Sequence, residues 1–215
     1  STLSAGLMDA RVQDQRLFLT VIMILITVGG LGFPVLNNLG HVAVASLARL
    51  VGWRAAKSRL RAHTKLVLVT SALLTLGGAL VLGVTELAQP VAPGAAPAWF
   101  TALFNAVTAR TAGFNTVAMG SLLPASVVVM IFLMFVGGSP AGTAGGGKTT
   151  TLGVAVLALR RLVQGKAEME VFDRRVAPEV ATRALTILLL SLLSCALVVG
   201  LLAFLFFPLL CALNL

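Results

Sequence analysis

Charge is scarce in this chain. Of 215 residues only 11% are Asp, Glu, Lys or Arg, while 58% are hydrophobic. Soluble globular domains carry about 25% charged residues, so composition already excludes an ordinary soluble fold. Acidic residues number 7, and no apolar strand ends in Asp, as a magnesium-assisted nucleotide site would require. The histidines, His41 and His63, flank a basic connection without ligand-spaced partners, which argues against a metal centre. The cysteines, Cys195 and Cys211, share one apolar run. They stand too far apart along a helix to bridge and read as small core residues. Residues 1–16 lack a basic start followed by an apolar stretch, so no secretory leader is expected before the first long apolar run.

Long apolar runs are what the chain has instead. Residues 17–39, 66–88 and 184–213 each reach the roughly 20 residues that cross a bilayer. A fourth segment, residues 125–159, is apolar at both ends and broken in the middle by GGSPAGTAGGGKTTT. The expected class is an all-α integral membrane protein. A net charge of +9 invites a nucleic-acid reading, but the placement of that charge argues against one. Arg49, Arg54, Lys57, Arg59, Arg61 and Lys65 lie between the first two runs. Arg160, Arg161, Lys166, Arg174, Arg175 and Arg183 lie between the broken run and the last. Residues 86–125 carry only Arg110 as a basic residue. The positive-inside rule makes the two basic connections cytoplasmic and puts the Pro-rich QPVAPGAAPAW, and Ser1, outside.

The outer segment contains TARTAGFNT, residues 108–116. Pro97 suits a first helical position, and AWFTALFNAVTAR carries Trp99, Leu103 and Val107 at helical spacing with Phe100 and Phe104 beside them. A helix of about 14 residues at 1.5 Å each is roughly 21 Å long, too short to span. These residues fit a re-entrant hairpin, helix in and extended loop back out. The C-terminal end of that helix would favour a cation. Irregular backbone at membrane depth survives only where protein buries it or where it lines a watery path. The alternative is an amphipathic helix lying on the outer surface.

The break in the fourth segment contains GTAGGGKT, residues 142–149, a full match to a phosphate-binding loop. That loop needs a preceding strand of an α/β unit, whereas SVVVMIFLMFV is membrane-span sequence. Residues 137–151 instead read as an unwound segment within the bilayer. Its glycines broaden the accessible backbone angles, Pro140 prevents continuous helix, and its Ser and Thr hydroxyls are free to satisfy backbone groups. Lys148 is expected to snorkel toward the cytoplasmic end. Such a plug inside a cation site is a candidate gate; the alternative is a glycine-rich helix-packing seam. Gly29, Gly30, Gly32 and Pro34 predict close packing and a kink at the end of the first run.

TARTAGFNT followed by GGSPAGTAGGGKTTT resembles the third repeat of the Trk/Ktr/HKT potassium transporter superfamily, and most closely the bacterial TrkH/KtrB-type pore subunits. The resemblance implies helix–re-entrant pore helix/filter–helix repeats of a potassium-channel-like pore, incomplete in this chain. Residues 1–40 would end the second repeat and residues 41–64 form a cytoplasmic connection. Residues 65–159 would be the third repeat, residues 160–183 a second cytoplasmic connection, and residues 184–215 the first helix of the fourth repeat. By the same resemblance Thr111, Ala112, Gly113, Phe114 and Asn115 form a potassium-binding filter. Gly138, Ser139, Pro140, Gly142, Thr143, Gly145, Gly146, Gly147, Lys148 and Thr149 belong to the gate loop. The resemblance further implies a multi-pass protein of the cell (inner or plasma) membrane, in contact with lipid, and a homodimer of pore subunits. A cytosolic nucleotide-binding regulatory ring (TrkA/KtrA-like) is the other implied partner, with the connection KAEMEVFDRRVAPE as a candidate contact surface. No cofactor, enzyme activity or nucleic-acid partner is expected. Potassium is the implied substrate, with sodium or a proton as a candidate coupling ion.

The gate loop departs from the family pattern GGSPGSTAGGIKTT. Ala141, Gly142 and Gly147 stand where Gly, Ser and Ile are usual, and Gly147 is expected to loosen the loop. Arg110 reads as a brace for the filter loop through nearby carbonyls. Physics without the resemblance leaves open another cation channel or a broken-helix secondary transporter.

Overall fold

A computed structural model describes residues 16–52, 59–86, 97–117, 119–165, 169–171 and 174–212. STLSAGL, Arg54, Lys57 and most of the Pro-rich stretch lie outside them. The chain divides into two compact units, Ser1–Gly153 and Val154–Leu215.

In the first unit, α1 (Arg16–Leu31) and α2 (Phe33–Leu50) are separated by Gly32 and bent through 104°. The first apolar run is therefore not one helix, and the expected kink is a full elbow. Gly32 takes a φ of 81°, and Pro34 sits in the first turn of α2. Proline has no N–H to continue a helical ladder but tolerates a first turn, so the sequence stops one helix and starts another here. The next element, α3 (Ala62–Glu86), is a 25-residue helix long and apolar enough to cross a membrane. The buried Asn38 on α2 accepts the N–H of Arg61 through its Oδ1 at 3.1 Å, which fastens α2 to the start of α3.

The short helix α4 (Ala98–Thr111) has 14 residues, with Pro97 as its cap rather than its first residue. Two stripes explain its position. Phe100, Phe104 and Val107 pack against Leu19 and Met23 of α1. On another face Ala102, Ala106 and Ala109 meet Leu82 of α3 with Met130 and Leu133 of α5 (Pro124–Val136). Small residues at this spacing let helices approach closely. Residues 104–109 are all buried, and a helix buried all round is a core helix rather than a surface one.

A single-turn 3-10 helix (Met119–Ser121) leads into α5, and Pro124 opens α5 at a position where its missing N–H costs nothing. An irregular loop then runs to α6 (Thr149–Val163), so the fourth segment breaks where its glycines predict.

In the second unit, Ala158 of α6 packs with Ala181 of α7 (Pro178–Ala212). The connection expected as plain solvated chain holds a two-stranded antiparallel ribbon, β1 (Met169–Val171) and β2 (Arg174–Val176), with Glu170 opposite Arg175. Two residues join the strands, the commonest hairpin length. Otherwise the described regular structure is helical. Helix α7 begins earlier than the apolar run, with Pro178 and Glu179 in its first turn, where proline and an acid are favoured. Cys195 is exposed on α7 rather than buried as expected, because this stretch of helix has no packing partner within its unit among the described residues. The Cys211 side chain lies outside the described residues.

Candidate functional site

The C-terminus of α4 is built around Thr108, which is 1% exposed. Its carbonyl accepts the N–H groups of Ala112 and Gly113, both at 3.0 Å. Its Oγ1 accepts the N–H of Phe114 at 2.8 Å. One threonine thus gathers three N–H groups of the turn. Gly113 has a φ of 71°, the left-handed region that glycine enters without cost. Among the described residues, none donates to the carbonyls of Ala112, Gly113, Phe114 or Asn115. Ala112, Gly113 and Phe114 are exposed and Asn115 is half-buried. A Cβ built on Gly113 would meet nothing within 4 Å. Thr111 is the last residue of α4, and its side chain lies outside the described residues. The return leg is pinned by a bond from the Thr116 hydroxyl to Asn105 Oδ1 on α4 at 3.3 Å, with both residues buried.

Arg110 braces α4 from its last turn, through acceptors on α3 and at Gly137 rather than through residues 111–115. Its Nη1 donates to the Ser71 carbonyl at 3.2 Å and to Thr75 Oγ1 at 2.9 Å; its Nη2 donates to Ser71 Oγ at 3.1 Å. Its Nε donates to the Gly137 carbonyl at 3.2 Å. One rigid fork therefore ties α4 to α3 and to the first residue of the glycine loop. Beside it, a cavity of about 180 Å³ is lined by Ile26, Thr27, Ser71, Thr75, Val107 and Arg110, among others.

The glycine loop folds back on the end of α5. Gly147 donates to the Phe135 carbonyl at 2.9 Å and Thr149 to the Gly138 carbonyl at 3.0 Å. A Cβ on Gly137 would collide with the Gly145 carbonyl, and one on Gly147 would lie 3.1 Å from the Phe135 carbonyl. Gly147 therefore permits a close backbone approach, a packing role distinct from the loosening its small size suggests. The Ser139 and Thr149 hydroxyls pair at 3.0 Å and are buried. Gly138 is buried with them, while Thr143, Gly145 and Gly146 are exposed and Pro140, Gly142 and Lys148 half-buried. Lys148 Nζ donates to the Ala144 carbonyl at 3.0 Å, a bond within the loop itself.

The same loop bonds to the α1–α2 elbow. Ser139 donates to the Gly30 carbonyl at 3.0 Å and Thr143 to the Gly29 carbonyl at 3.2 Å; Phe33 donates to the Ala141 carbonyl at 3.2 Å. The last carbonyls of α1 and the first N–H of α2 have no intrahelical partner, and the loop supplies one. Sequence reasoning marked both breaks but did not pair them. The available signal was that two glycine-rich interruptions in apolar runs each leave backbone groups that something must satisfy.

A model of the TrkH family, described as a cation transport protein, matches residues 12–211. The chain belongs to this family. It is 31% identical over 195 residues to the potassium/sodium uptake protein NtpJ of Enterococcus hirae, covering 87% of this chain and 40% of that protein. It is 31% identical over 166 residues to the Ktr system potassium uptake protein B of Vibrio alginolyticus, covering 76% of this chain and 34% of that protein. With the Ktr system potassium uptake protein D of Bacillus subtilis it shares 27% identity over 177 residues, 80% of this chain and 37% of that protein. The chain thus spans about two fifths or less of the length of these relatives. Family membership, with helices long and apolar enough to cross a membrane, places the chain in a multi-pass membrane transporter family rather than an enzyme family. GTAGGGKT follows the helix α5 instead of a strand, so the local setting of a phosphate-binding loop is missing as well.

Proposed function

We propose that this chain contributes the third helix–filter–helix repeat, with flanking helices, to a potassium-translocating pore subunit. In this reading α3, α4 with its turn, and α5 with α6 form the repeat. The carbonyls of residues 111–115 line one quarter of the filter, and residues 138–149 form the gate loop. The observation that carries it is the Thr108 arrangement. It draws the turn's N–H groups back onto α4 and leaves the carbonyls of residues 112–115 without donors among the described residues, in largely exposed backbone. Carbonyl oxygens in that condition suit replacement of the hydration shell of a cation. The names of the relatives, potassium/sodium and potassium uptake proteins, support potassium as the cargo. The Ktr-system names support partner subunits, for which a second pore subunit and a cytosolic nucleotide-binding ring are the proposed candidates.

The decisive experiment is potassium-uptake rescue of a deficient bacterial strain by the full-length polypeptide, intact and with Gly113→Ser. Rescue by the intact protein, with weaker discrimination of potassium over sodium in the variant, is expected. Failure of the intact protein to rescue overturns the reading. Cation flux that does not prefer potassium and ignores Gly113 favours the alternative, another cation channel or a broken-helix secondary transporter.

A further inference from the structure

We propose that the α1–α2 elbow is the seat of the glycine loop and that Gly32 is its positioning residue. This rests on the reading of residues 138–149 as a gate and adds what holds that gate in place. Three backbone bonds join loop to elbow: Ser139 to Gly30, Thr143 to Gly29, and Phe33 to Ala141. Each satisfies a polar group left over by a helix end or by unwound chain. At membrane depth such a group is costly without a partner. The seated position is therefore the one in which both breaks are satisfied together, and a departing loop orphans groups on both sides.

The seat is shaped by absent side chains. Gly32 has a φ of 81°, and a Cβ there would collide with the Pro140 carbonyl and lie 3.1 Å from the Gly142 nitrogen. A Cβ on Gly142 would lie 3.1 Å from the Gly29 and Gly30 carbonyls. Opposite Gly32, Ala141 is the described non-glycine residue with positive φ, at 57°. An L-residue is strained in that region. This chain therefore holds its loop seated against that strain. The elbow thereby sets how readily the loop leaves, and Ala141 biases it toward leaving.

The test uses the full-length protein in proteoliposomes, with Cys195, Cys211 and every cysteine outside these residues replaced by serine and Ser139→Cys added as a reporter. Ser139 is fully buried in the seated loop, so its labelling by a water-soluble maleimide reads departure of the loop. Gly52→Ala is the matched control, since Gly52 has a φ of 82° and nothing within 4 Å of an added Cβ. Gly32→Ala should label about fivefold faster than Gly52→Ala, as expected for the loss of one backbone bond. Potassium flux should rise with labelling, while the potassium-to-sodium ratio stays unchanged because the filter is untouched. Ala141→Gly should move the other way, labelling about fivefold more slowly as strain is relieved. Equal labelling of Gly32→Ala and Gly52→Ala overturns the proposal, as does an Ala141→Gly variant that labels no more slowly than its parent. If Gly32→Ala does not assemble, the Ala141→Gly result decides alone. Labelling is read whether or not the protein carries potassium, so failure of the transport reading and failure of the seat are separable.

Discussion

Thr108 concentrates the turn's hydrogen bonding in one side chain and one carbonyl, so its hydroxyl is testable apart from its bulk. Thr108→Val keeps the shape and removes the acceptor of the Phe114 N–H. It should cost about 1 kcal/mol of stability, seen as a lower melting temperature in detergent, and should slow potassium uptake. Thr108→Ser should retain most of both. Gly113 is a different case, because its φ of 71° and the open space around it separate backbone strain from crowding within the chain. Gly113→Ala and Gly113→Ser should both carry the left-handed penalty of about 1–2 kcal/mol. Potassium-to-sodium permeability ratios should fall in both, since either side chain projects into space this chain leaves empty.

Among the elements, α4 is held by two stripes of side chains and one cation. Among the described residues, the bonds of Arg110 go to neutral acceptors on α3 and at Gly137. Arg110→Met should therefore destabilise the repeat by about 2 kcal/mol, the scale of hydrogen bonds to a charged group, measured by thermal unfolding in detergent. Arg110→Lys keeps the charge but not the planar fork and should recover less than half of the loss. The glycine loop makes a complementary case. Gly137→Ala forces both a positive φ and a collision with the Gly145 carbonyl, and should destabilise more than Gly145→Ala, whose added Cβ meets nothing within 4 Å. Equal effects would show that loop conformation there is not set by this contact.

At the level of the whole molecule, charge distribution predicts orientation. A cysteine placed at Ala95 should react with an impermeant thiol reagent from outside the cell, and one at Gln164 only from the cytoplasmic side, in a full-length background from which every native cysteine, Cys195 and Cys211 included, is removed. The reverse pattern would overturn the positive-inside assignment. The first unit packs α4 among α1, α3 and α5, burying residues 104–109, while most of α7 stays exposed in its own unit. Long apolar helices with little internal burial are suited to lipid or to further protein.

The membrane class, the approximate apolar runs, the short helix before TARTAGFNT and the break at GGSPAGTAGGGKTTT were all legible in the chain itself. Each depends on local properties: hydropathy over about 20 residues, helical spacing, and glycine or proline at a break. The elbow was legible only as a kink. What tertiary structure decided was which leftover backbone groups find each other. The pairing of Gly29 and Gly30 with Thr143 and Ser139, the Arg110 link from α3 to Gly137, and the alanine stripe that buries α4 join residues far apart in sequence. A local pattern reveals that a helix end lacks a partner; only packing specifies the partner, because that depends on where other elements bring their own unsatisfied groups.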